Sequence, residues 1–365
     1  MLLNSIKATA LVLAVLTTQA QAQQSASATP AVFYKPVDLV GSLHRNWFAP
    51  QAAHFARQSN ALTTSMASFC SATASPAAID AVRSSWKASA SAWDTLSGVQ
   101  IGPLLQRRSA RQIDFMPTRP ALIARAIEAA PANARAMEST GTPAKGLPAL
   151  EWLLWSQPLA PATPACAYAV QLAADVQREA DALSTAFGEL AAGASDAEDS
   201  DAPALAEFVN QWTGAIERLR WAEIEKPRLA GATGRPGARG VDPKNAAVFA
   251  RSASGQTAER WAASWRAVRT LAVGVSSPGT AAPALNNGVQ VSLEDYLRGL
   301  GHAVAADKLV RGIAEADEAL QKLAPGDTAG IKAATRSLAN LKKVVEADIA
   351  PAVDITIGFS DADGD

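Results

Sequence analysis

The sequence is poor in the side chains that build metal and nucleophilic sites. Among 365 residues there are two cysteines, three histidines and three tyrosines. The histidines, His44, His54 and His302, form no HExxH, so the usual zinc-protease arrangement is missing. His44 and His54 lie ten residues apart, and at about 100° per residue they fall on different faces of one helix. Each of the three reads best as an ordinary surface or core histidine. There is no G-x-S-x-G, no P-loop and no Rossmann fingerprint. Charge of one sign is not in excess: 33 Lys and Arg face 34 Asp and Glu, a net charge of −1. No large basic patch is visible, which excludes nucleic acid as a partner. Strand-like alternation is nearly absent as well.

What is present is apolar. Hydrophobic residues make up 48% and charged residues 18%, enough for a large core and too apolar for a disordered chain. The first apolar run, Ala8 to Leu16, follows Lys7 and precedes a small-x-small site at Ala20-Gln21-Ala22. This pattern predicts a signal peptide over residues 1–22 and export, most simply to a bacterial periplasm. No cysteine stands at the cleavage site, so a lipid anchor is not expected. No later stretch reaches about 18 consecutive apolar residues, so no transmembrane segment is expected in the mature chain. In an oxidising compartment Cys70 and Cys166 are expected to pair as a disulfide, with paired metal ligation as the weaker alternative.

The rest reads as helices. In "PAAIDAVRSSWKASASAWDTL", Ile79, Val82, Trp86, Ala90, Trp93 and Leu96 form one apolar stripe at helical spacing, with Ser75 and Pro76 as cap and first turn. Long Ala-rich helical patterns recur to the end of the chain. The expected fold is all-α, two packed four-helix-bundle-like halves over residues 37–192 and 200–350, with a tail from 351 to 365. The acidic stretch from Ala191 to Pro203 is the expected link between them. A Gly- and Arg-rich stretch, "AGATGRPGARGVDPKN", reads as a loop, with anion binding by Arg235 and Arg239 as the alternative.

One charge stands out. In "KGLPALEWLLW", Glu151 lies among Leu147, Leu150, Leu154, Trp152 and Trp155. Residues three and four apart share a helix face, and a helix apolar all round is buried. A buried carboxylate must then be paired, metal-bound or protonated. Either it braces the core, through an arginine or a proton, or it serves as a ligand or acid–base group in a cavity. Pro148 fits the first turn of the helix, where its missing N–H is harmless.

This stretch resembles the G-x-H-x-x-E signature of the imelysin-like proteins. Gly146 and Glu151 match it, and Pro148 stands at the histidine position. "GPLLQRRSARQIDFMPTRP", ending just past Arg119, is similar to the segment ahead of the motif, and "IGFSDADGD" is similar to the family's chain ending. The resemblance covers about Val37 to Asp365. It implies two packed four-helix bundles with the motif near their interface, in bacterial envelope proteins linked to iron uptake or regulation and classed as metallopeptidases. The binding residues it implies are Gly146, Pro148 and Glu151, with Arg119 as a candidate partner of the carboxylate. Iron or another divalent metal is the implied cofactor, with Glu151 as its ligand. An iron-uptake or cell-envelope protein is the implied partner. Without the histidine, a His–Glu metal pair is reduced to one oxygen. The expected function is therefore non-catalytic ligand or partner binding in iron homeostasis, with a metallopeptidase or a purely structural envelope protein as alternatives. The acidic tail, Asp361, Asp363, Gly364 and Asp365, echoes half an EF-hand loop, but a solvated tail is the simpler reading.

Overall fold

A computed structural model describes residues 33–71, 78–193, 201–233, 249–274 and 290–358. The signal segment, Ser75 and Pro76, Arg235 and Arg239, most of the acidic link and the tail beyond 358 lie outside them. All described elements are helical, and no strand occurs among the described residues. Helix α1 (Pro36–Leu43) runs through a π-helical turn (His44–Phe48) into α2 (Ala49–Cys70), and α3 (Ala78–Leu96) follows. Four short helices come next: α4 (Pro103–Gln106), α5 (Ser109–Ile113), α6 (Pro120–Ala129) and α7 (Ala134–Glu138). The motif helix α8 (Gly146–Glu151) opens into a π turn (Trp152–Ser156), and α9 (Pro164–Gly193) is the longest element. Then come α10 (Asp201–Glu217), a π segment (Arg218–Glu225) and α11 (Lys226–Thr233). The chain closes with α12 (Thr257–Val273), α13 (Leu293–Gly299), α14 (Ala303–Leu320), α15 (Thr328–Val344), a π turn (Val345–Ile349) and α16 (Ala350–Ala352).

Prolines explain where these helices loosen. Each described π segment is followed, two residues past its end, by a proline: Pro50, Pro158, Pro227 and Pro351. Proline has no N–H for the i→i−4 bond, and its ring pushes away the carbonyl four residues back. Two of the carbonyls at that position are taken by side chains from other helices. The Leu154 carbonyl accepts two bonds from Arg83, at 3.0 and 2.8 Å. The Glu223 carbonyl accepts one from the Trp261 indole at 3.3 Å. The irregular turns thus become docking points between helices.

Packing follows the apolar stripes. Helix α2 buries Ala52, Phe55, Leu62, Met66 and Phe69, and packs on α3 and α9. Helices α10, α12, α14 and α15 pack among themselves, and α12 also lies on α3. The described residues belong to one compact unit. Trp86, Trp93, Trp212 and Trp261 are among its largest fully buried side chains. Burial of such rings dominates the core, and buried indole N–H groups need acceptors. Trp86 donates to the Leu147 carbonyl at 3.1 Å and Trp212 to that of Val268 at 2.9 Å. Gly98 is required where α3 meets α12, because a Cβ there would stand 2.6 Å from that of Ala267. Cys70 and Cys166 form a disulfide that joins the end of α2 to the start of α9. No described helix is long and apolar enough to cross a membrane.

Candidate functional site

The motif helix begins under a steric constraint. Gly146 has φ +73°, and a Cβ there would collide with the Ile113 carbonyl and stand 2.9 Å from that of Gln112. Only glycine permits both the positive φ and the close approach. This seats α8 against the end of α5, directly beside Asp114. Pro148 lies in the first turn, where backbone N–H groups have no helical acceptor. Lys145, just ahead, is buried and paired with Asp175 of α9 at 2.8 Å. The Ala144 carbonyl accepts from the Tyr168 hydroxyl of α9 at 2.6 Å. Glu179, also on α9 and buried, binds Arg107 through two bonds of 3.0 and 2.8 Å and accepts from Ser109 at 2.6 Å. The long helix thus holds the 103–146 region at three points.

Glu151 is buried, as its apolar neighbours predict. Its partner is not Arg119, which caps α6 in an exposed position. One carboxylate oxygen instead accepts the Ser254 backbone N–H at 2.9 Å and the Ser254 hydroxyl at 2.7 Å. Ser254 stands in the turn ahead of α12, and its hydroxyl also lies 3.1 Å from the Arg251 carbonyl. An arginine or a proton were the ways of bracing this charge that the sequence offered. The chain uses a backbone amide and a hydroxyl, which charge-assisted bonding makes adequate.

The same turn carries Arg251, buried and held at φ +64°. Its guanidinium lies over the Trp86 ring, 5.4 Å from the centroid, and pairs with Asp94 and Asp114, each at 2.9 Å. Arg260 on α12 reaches the same two carboxylates, at 2.8 and 2.6 Å, and Glu223 at 3.4 Å. Arg218 extends the chain of charges, donating to the Ser97 and Gly98 carbonyls at 3.0 and 2.6 Å. Burial alone would push the Asp114 carboxyl up, but Arg251 and Arg260 more than offset it and hold it below the usual range. A non-glycine residue in this backbone region costs roughly 1–3 kcal/mol and persists only where its surroundings fix it. Two ion pairs and an aromatic face do that here.

The donor set does not fit a transition metal. One oxygen of Glu151 already accepts two hydrogen bonds, and the Asp94 and Asp114 carboxylates are neutralised by two guanidiniums. A cation entering there would meet two fixed positive charges. Among the described residues, no group of three or more His, Cys, Asp or Glu could hold a metal ion. The histidines are far apart in role: His44 packs against Phe48 and Phe187, His54 lies on α2, and exposed His302 caps α14. Asp94, Asp114, Ser254, Arg251 and Arg260 were not singled out by sequence. An aspartate following Trp93 in the apolar stripe of α3 was the available signal.

The all-helical architecture is shared with two solved structures. A crystal structure of an imelysin-like protein from Psychrobacter arcticum matches with TM-score 0.68 and 19% identity, covering 90% of this chain and 99% of that one. A structure from Parabacteroides distasonis, described as a candidate iron-regulated protein A precursor, matches with TM-score 0.68 and 13% identity, covering 89% and 96%. A comparison with curated proteins finds no match. The family model for imelysin, peptidase family M75, matches residues 48–348, and the chain belongs to that family.

Proposed function

We propose that this chain is an exported, non-catalytic imelysin-family protein that binds a small ligand or a partner in iron uptake or homeostasis. The observation that carries the non-catalytic reading is the commitment of Glu151 to Ser254, with Pro148 at the position of the motif histidine. A metal-assisted hydrolase needs a metal with an open position and an activated water. Here the motif offers one hydrogen-bonded carboxylate oxygen and, behind it, a neutralised ion network. The Ser254 hydroxyl is held between the Glu151 carboxylate and the Arg251 carbonyl, with no histidine among its hydrogen-bond partners in the described residues. Export is supported by the signal-like first 22 residues and by the Cys70–Cys166 disulfide, a bond favoured in oxidising compartments. The link to iron is supported by family membership and by the description of the Parabacteroides relative.

Two measurements test the reading. Titration calorimetry of the mature protein with ferrous iron, ferric iron, zinc and ferric chelates should give a saturable response with at least one. A deletion strain should grow poorly under iron limitation. Absence of both effects removes the iron role. Stoichiometric zinc, with chelator-sensitive peptide cleavage abolished in Glu151→Gln, overturns the non-catalytic reading.

A further inference from the structure

A second site lies away from the motif. Trp47 of the first π turn, Gln51, His54 and Arg57 of α2, Thr95 of α3 and Arg266 of α12 line a groove of about 560 Å³. That volume is in the range of small-molecule sites. Its lining carries two guanidiniums and no carboxylate. Arg57 is exposed. Arg266 donates to the Thr95 hydroxyl at 3.4 Å and lies 3.6 Å from Glu259; the two charged side chains are about half exposed, 51% and 45%, so that ion pair is weak and readily opened. Burial first, and then the Arg57 charge, lower the His54 pKa. At neutral pH His54 is therefore a neutral imidazole with one N–H to donate.

One group in the groove is left wanting. Trp47 is only 6% exposed, yet its buried indole N–H has no hydrogen-bond partner. An indole nitrogen can only donate, and a buried donor without an acceptor is destabilising. Every other buried indole bond described above ends on a carbonyl. The Trp47 N–H lacks an acceptor, and the groove beside it offers positive charge and N–H donors.

We propose that this groove binds the oxyanion of a small molecule, a carboxylate or a phosphate, with Arg57 and Arg266 supplying the charge and Trp47 and Gln51 supplying neutral donors. The site is independent of Glu151 and of the iron role. Each guanidinium can offer two parallel N–H bonds to oxygens of such a group, the geometry arginine favours for carboxylate and phosphate.

The experiment is titration calorimetry of the mature protein with citrate and with inorganic phosphate at fixed ionic strength, alongside Arg57→Gln, Arg266→Gln and Trp47→Phe. Saturable binding of either anion is expected, citrate alone marking a carboxylate ligand and phosphate alone a phosphate ligand. Either arginine variant should weaken it about tenfold, as loss of a charge-assisted contact does. Trp47→Phe, which keeps the ring and removes the donor, should weaken it less while leaving the melting temperature unchanged or raised. The proposal is overturned if neither anion binds at millimolar concentration. It is equally overturned if correctly folded Arg57→Gln and Arg266→Gln both bind like wild type, or if the response tracks ionic strength alone.

Discussion

The Glu151 carboxylate and the Ser254 backbone N–H meet at 2.9 Å across 103 positions of sequence. The bond ties the motif helix to the turn that carries Arg251, so the motif and the ion network form one structure. Ser254→Ala removes the hydroxyl donor but not the amide, and should cost about 1 kcal/mol. Glu151→Ala leaves the Ser254 amide buried and unpaired, while the hydroxyl keeps the Arg251 carbonyl, and should cost about 2–3 kcal/mol. Urea unfolding of the two variants checks the order. Equal losses would show that the hydroxyl, not the amide, carries the contact.

Arg251 pairs with two buried carboxylates at once, sharing them with Arg260. Arg251→Met should destabilise by roughly 3–5 kcal/mol, the range for stranding a buried charge. The acid limb of stability reports the same network. Asp114 has its folded pKa below the ordinary 3.8. Its contribution is therefore fully present above about pH 4 and is lost as pH falls through the folded value. Thermal unfolding between pH 2 and 6, with Asp114→Asn as comparison, should show a shallower acid limb in the variant.

Gly146→Ala tests the seat of the motif helix. The substitution combines a positive φ with a collision against the Ile113 carbonyl. It should cost about 2–5 kcal/mol, backbone strain and overpacking together. A chemical unfolding midpoint close to wild type would mean that α8 can shift away from α5 cheaply.

His44 supplies a second pH effect, at higher pH. Burial, and then the Arg45 charge, push its pKa down from 6.5 to about 4. The folded protein binds this proton less readily than the unfolded chain. The resulting stability is present above pH 6.5 and is lost as pH falls toward 4, by an amount of order 2–3 kcal/mol. His44→Gln should remove this slope. An NMR titration placing the His44 midpoint near 6.5 would refute the burial argument.

The helices, the disulfide and the burial of Glu151 were legible because each rests on local information. The stripe from Val82 to Leu96 repeats at helical spacing, and four of its members, Val82, Trp86, Trp93 and Leu96, are almost completely buried. Two cysteines leave one pairing. An isolated carboxylate between leucines has to be inside. The partners were not legible, because Ser254 and Arg251 come from a turn far along the chain with no pattern of its own. Arg119 was the reasonable local choice and proved to be a helix cap. The proline spacing was readable in principle: Pro50, Pro158, Pro227 and Pro351 lie in or just beyond otherwise unbroken helical patterns, where a proline forces the backbone to loosen.

The ion network also divides unevenly along the chain. Its buried acids, Asp94 and Asp114, come from the segment enclosed by the disulfide, as does Glu151. Its guanidiniums, Arg251 and Arg260, come from beyond residue 200. Glu223, also beyond residue 200, offsets only part of that positive charge, so neither part of the sequence can neutralise its own share of the network. A fragment ending in the acidic link would hold unbalanced negative charge in its core, and the remainder would hold unbalanced positive charge. Electroneutrality thus makes the two stretches of chain mutually obligate, and cutting between them should yield two unfolded pieces rather than two domains.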